Sequence, residues 1–133
     1  MAEVSTDHFG FTKLLVRDME ACAQFYTSVC GLVELARVDS EIGGRAISEI
    51  MYHPTGEGAA TFVLLKFEDQ ASPVSNEVIV GFQTADVDAF VERALQAGGK
   101  LVDPVKDLPE HGVRVGFVSD IEGHLIEVVE LLS

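Results

Sequence analysis

Basic residues are scarce in this chain: nine Lys and Arg stand against 22 Asp and Glu over 133 residues, a net charge of −13. Such a surface repels phosphate backbones and anionic headgroups, which argues against nucleic acid and membranes as partners and favours a cationic small molecule. Plain solubility explains the charge as well. No apolar run approaches 18 residues, and the opening "MAEVSTDHFG" has neither a basic nor an apolar leader-like region, so a cytoplasmic protein is expected. Only two cysteines occur, Cys22 and Cys30. Eight positions apart on one expected helix, they are separated by roughly 12 Å along its axis, beyond the reach of a disulfide, and read as core packing. Clustered zinc cysteines, a phosphate-binding glycine loop and a nucleophile–base pair are all missing.

What the chain does have is apolar content, 47% of residues, enough at this length for residues 1–133 to form one domain without staples. Two stretches, "FTKLLVRDMEACAQFYTSVCGL" and "IVGFQTADVDAFVERALQAGGK", both run strand, acidic turn, helix, glycine, at a constant offset of 68 positions. Asp18 falls on Asp86 and Gly31 on Gly99, the N-caps and C-terminal stops of the two helices. Met19, Cys22, Tyr26 and Val29 recur at the spacing of one buried helical stripe, as do Val87, Phe90, Ala94 and Ala97.

Strand-forming runs follow each helix, at about 33–38, 45–52 and 60–67, then at about 101–105, 113–118 and 124–131, with "EIGGR" and "DIEGH" as tight turns. The polar stretch "FEDQASPVSNE" parts the halves. The expected fold is α+β: two βαβββ modules, about 8–67 and 77–133 with a linker at about 68–76, forming a curved mixed sheet around a concave ligand trough.

One acid stands out against this pattern. In "DIEGHLIEVVEL" strand alternation puts Leu125, Glu127 and Val129 on one face, and Ile126 and Val128 on the other. Neither face is polar. An ionised carboxylate buried without a partner costs several kcal/mol or is forced to a higher pKa. Glu127 is therefore exposed at an edge, paired with Arg114 or Lys13, or functional.

Paired βαβββ units, "FYTSVCGL", "TADVDAFVERALQAGG" and "FVSDIEGHLIEVVEL" in this order resemble the glyoxalase, bleomycin-resistance and extradiol-dioxygenase (vicinal oxygen chelate) superfamily. The resemblance covers nearly the whole chain. It implies a trough with, in metal-dependent members, an inward ligand on the first and last strand of each module. Carried over by position, those sites fall on Phe11, Ile79, the region of Val63, and Glu127. Phenylalanine, isoleucine and valine offer no lone pair, and one carboxylate cannot hold a divalent ion, so no metal and no cofactor are expected. His8 has the opposite strand parity to Phe11, and His53, His111 and His124 read as solvated turn histidines.

Lys13 and Gly81 share the parity of Phe11 and Ile79 and should line the same wall, while Arg114 stands beside a loop able to close over a ligand, or on an exposed edge. Tyr52 and His53 end a strand near an entrance or a plain surface turn. Together these residues point to a metal-independent small-molecule binding protein, expected to be a homodimer, with an aromatic or cationic ligand in an apolar trough near Glu127. The alternatives are a lyase, isomerase or epimerase using Glu127 as general base, and a glyoxalase- or dioxygenase-type metalloenzyme with displaced ligands.

Overall fold

The computed structural model describes residues 11–42, 44–69 and 78–132. His8 and most of the expected linker lie outside the described residues. Module one consists of β1 (Phe11–Leu15), α1 (Met19–Cys30), β2 (Glu34–Ile42), β3 (Arg45–Tyr52) and β4 (Thr61–Phe67). Module two repeats the order with β5 (Ile79–Gln83), α2 (Val87–Gln96), β6 (Lys100–Leu108), β7 (Val113–Ser119) and β8 (Leu125–Leu131). A short 3-10 turn, Pro109–His111, joins β6 to β7. The architecture is the α+β pair of βαβββ modules expected from the repeat, its mixed sheet divided into two four-stranded halves, β1-β4-β3-β2 and β5-β8-β7-β6. The first and last strands of each module pair in parallel, and the remaining pairs are antiparallel.

Both helices start where their acids predict. Asp18 and Asp86 are extended residues whose carboxylates accept the amide hydrogens of Ala21 and Ala89, each at 3.1 Å, satisfying donors that the first helical turn leaves free. The helix ends differ. Gly31 stops α1 in the left-handed region (φ 70°), but after α2 the left-handed residue is Gly98 (φ 97°), not Gly99. Gly99 is small for another reason: a Cβ there would lie 2.4 Å from the Ser119 carbonyl oxygen and 3.1 Å from the Phe25 ring of the other module.

The helix-covered faces of both sheets share one core. Leu14, Ile50 and Leu64 of the first sheet and Val118, Ile126 and Val128 of the second pack with Tyr26, Phe25, Val87 and Phe90 of the helices. The Tyr26 ring touches Phe62 of its own module and Phe82 of the other, at centroid distances of 5.0 and 6.4 Å. Burial of this kind contributes roughly 1.5–3 kcal/mol per large apolar side chain and is what joins the modules.

A buried polar junction fixes how they meet. In the β7–β8 turn, one Asp120 oxygen accepts the Tyr26 hydroxyl at 2.9 Å and meets His124 Nδ1 at 2.7 Å, while the other accepts the amides of Glu122 and His124. His124 Nε2 faces the Leu15 carbonyl on the outer edge of β1 at 3.1 Å. Glu122 accepts the amides of Arg17 and Asp18. His124 is thus not the solvated turn histidine its position suggested: it is 5% exposed and has an acceptor at each ring nitrogen, an arrangement that suits the imidazolium. Its hydrogen bond to Asp120 raises its pKa against the opposing effect of burial. Burial pushes Asp120 upward, but the bonds and charge of His124 outweigh it and the net shift is downward.

Two outcomes follow from this packing. Gly99→Ala should destabilise the fold by about 2 kcal/mol or more in urea unfolding, because the atom met first is backbone and cannot swing aside. The His124 contribution is complete below its unfolded pKa of about 6.5 and is lost as pH rises through its raised folded value. The Asp120 contribution is complete above about 3.9 and is lost as pH falls through its lowered value. Wild type should therefore exceed His124→Gln in stability most at about pH 5–6, and the gap should close on alkalinisation.

Candidate functional site

Because Ile126 and Val128 are fully buried under α2, alternation along β8 turns Glu127 to the uncovered face of its sheet. There it is half-buried, opposite Gly81 on β5 and Phe117 on β7. Its carboxylate makes no hydrogen bond or ion pair with any described residue. Neither cation weighed as its partner reaches it: Lys13 pairs with Glu49 at 2.9 Å, and Arg114 with Asp88 and Asp107 at 2.7 and 3.0 Å. Asp88 belongs to α2, and Arg114 has the parity of the residues beneath that helix, so Arg114 is held away from Glu127.

Strand register identifies the counterpart of Glu127 in module one. Lys13 pairs with Val63 as Gly81 pairs with Glu127, so Val63 occupies the equivalent place. The expected residues then divide between two pockets. One, of about 320 Å³ on the uncovered face of module one, is lined by Phe11, Lys13, Val63, Glu49, Met51 and Thr61. The other, of about 450 Å³, lies along β5 and contains Ile79 and Gly81 with Thr12, Cys30, His53 and Phe82. Glu127 lines neither of these two. Tyr52 is a core residue, 1% exposed.

The second pocket marks where the repeat breaks its own symmetry. At the outer edge of β1, His124 covers the Leu15 carbonyl. Carried to module two by the register, Leu15 becomes Gln83 and His124 becomes Ala60, and both line the pocket. A methyl group stands where an imidazole fills the other edge. Cys30 also faces this space, its thiol pushed up to about 12 by burial against the lowering influence of Arg93, so it is not a thiolate near neutral pH.

Sequence reasoning missed Glu49. It is 9% exposed, on the same face as Ile47 and Met51, and Lys13 crosses the intervening β4 to meet it. Its signal was present in "RAISEIMY", an acid at a position whose alternate neighbours are apolar, the same pattern that singled out Glu127.

The four positions carried over from the family resemblance hold Phe11, Val63, Ile79 and Glu127. One carboxylate among three hydrocarbon side chains does not fit a divalent ion. Among the described residues no group of three or more His, Cys, Asp or Glu is placed to hold one. Likewise no described helix is long and apolar enough to cross a membrane.

Comparison with known proteins agrees with this architecture. Residues 6–128 match the family model described as Glyoxalase/Bleomycin resistance protein/Dioxygenase superfamily. A glyoxalase family protein from Bacillus cereus superposes with a TM-score of 0.84 at 21% identity, covering 100% of this chain and 99% of that one. TioX from Micromonospora sp. ML1 gives 0.66 at 25% identity, covering 95% and 100%. A glyoxalase I mutant from Zea mays gives 0.72 at 21% identity, covering 91% of this chain but 45% of the maize chain. No curated protein sequence matches.

Proposed function

The chain belongs to the Glyoxalase/Bleomycin resistance protein/Dioxygenase superfamily, and on that premise we propose that it is a metal-independent binding protein for a small, largely apolar molecule. The observation that carries the reading is the composition of the uncovered faces. Where metal-binding members would place donors, this chain places Phe11, Val63 and Ile79, leaving Glu127 as the sole acid at those positions. A single carboxylate in apolar surroundings suits a ligand with an N–H group at one end and an aromatic body against the sheet.

A homodimer completes this proposal. The modules are joined through their helix-covered sides, and the uncovered faces expose large apolar residues, among them Phe11 at 55%, Ile79 at 52% and Leu131 at 59%. Module one of one copy set against module two of another would cover these residues and bring Glu127 to the pocket of Phe11, Lys13 and Val63.

The unpaired state of Glu127 also favours a second reading, in which it moves a proton as general base in a lyase, isomerase or epimerase. The two readings separate on Glu127→Gln. A binding protein should retain a saturable site with weakened affinity, whereas an acid–base catalyst should lose turnover by a factor of roughly 10² to 10⁴. Metal content is the other discriminant: protein purified without chelators should carry far less than one equivalent of Zn, Ni, Mn or Fe. A stoichiometric, tightly held ion would instead support displaced ligands and overturn the metal-independent reading.

A further inference from the structure

The ion pair on the uncovered face of module one narrows the ligand class, an inference that rests on the reading of that face as a small-molecule site. Lys13 on β1 and Glu49 on β3 are separated by β4, so the lysine stem spans the middle strand before its ammonium reaches Glu49 Oε2 at 2.9 Å. On that strand, Val63 and Leu65 are only 4% and 2% exposed although they belong to the uncovered face. The ammonium also stands 5.5 Å from the centroid of the Phe11 ring. The Glu49 side chain is 11% exposed and that of Lys13 32%, so the acid is committed and the cation is the accessible partner.

We propose that this pocket selects a flat apolar molecule that is uncharged and carries one hydrogen-bond acceptor, and that it discriminates against carboxylates and amines alike. Three ligand classes can be compared on the same two groups. An anion can reach the remaining ammonium hydrogens only by setting a second negative charge beside the nearly buried carboxylate of Glu49, a like-charge contact in a poorly solvated place. A cation finds Glu49 almost wholly covered and meets the more accessible lysine ammonium, a like charge. A ketone, amide or quinone oxygen asks for neither. One ammonium hydrogen serves Glu49 and the group has three, so a neutral acceptor can take a charge-assisted hydrogen bond with the pair intact. Phe11, Met51 and Val63 supply the surface for a fused ring, in a volume of about 320 Å³. An N–H elsewhere on the same neutral molecule remains compatible with Glu127.

Four matched probes test this: 2-acetylnaphthalene, 2-naphthoate, 2-(aminomethyl)naphthalene and 2-ethylnaphthalene, titrated calorimetrically into wild type and into Lys13→Met/Glu49→Met. The double variant replaces both charges by apolar chains of similar length and leaves no buried charge unpaired, so it is the form expected to fold. Wild type should bind the ketone about tenfold or more tighter than the other three, and the double variant should bind ketone and ethyl probes equally. Tightest binding of naphthoate or of the amine by wild type, or a ketone preference that survives in the double variant, would overturn the inference while leaving the small-molecule site standing. If none of the four binds wild type, the small-molecule reading of this face fails and the inference with it.

Discussion

The structure depends on one constraint: the two sheets must bury their helix-covered faces in a single core. Strand alternation then leaves no choice for the remaining residues. With Ile126 and Val128 fully buried, Glu127 must face outward, and with Leu14 inside, Phe11 and Lys13 must face outward too. The Tyr26–Asp120–His124 junction sets the relation between the modules, since its members come from α1 and the β7–β8 turn and are satisfied only when these meet. Everything that recommends the chain as a binding protein is a consequence on the opposite side of the same strands.

Local features were legible in the sequence because they have local causes. Asp18 and Asp86 cap the helices three residues ahead of the donors they satisfy, the 68-residue repeat places both modules, and most strand limits agree to within a few residues. The 68-residue offset does not extend to the last strands, so Val63 is fixed as the counterpart of Glu127 by the parallel pairing, Lys13 with Val63 and Gly81 with Glu127, and not by the repeat. What escaped was long-range. Tyr26 and Asp120 are 94 positions apart and no periodicity relates them, so His124 read as an exposed turn residue until its partners were in place. Lys13 and Glu49 meet across a third strand, and Gly99 is confined by a carbonyl of another strand rather than by its own backbone angle.

The superfamily fold accommodates several chemistries because its strands present side chains to a common face while the core beneath stays unchanged. In this chain three of the four positions singled out by the resemblance carry hydrocarbon, and the polar groups set among them include an unpaired acid, Glu127, and an internally neutralised pair, Lys13 and Glu49. In the proposed dimer these would lie at opposite walls of one cavity, one accepting and the other donating hydrogen bonds, with Phe11 and Ile79 withdrawn from water between them. The distribution of charge would then set which end of a ligand meets which wall, and the negative surface would keep free anions at a distance.

Complementation between two blocked chains tests the shared site most directly. Met51→Trp fills the pocket from module one, and Gly81→Trp fills it from module two, where a Cβ meets open space. Neither variant alone should bind 2-acetylnaphthalene. Refolded together in equal amounts, they should regain about one quarter of the wild-type binding capacity, because half the dimers are mixed and each mixed dimer holds one unblocked site. No recovery, with mixed dimers present, would mean that the site is built within a single chain and would contradict the between-chain cavity.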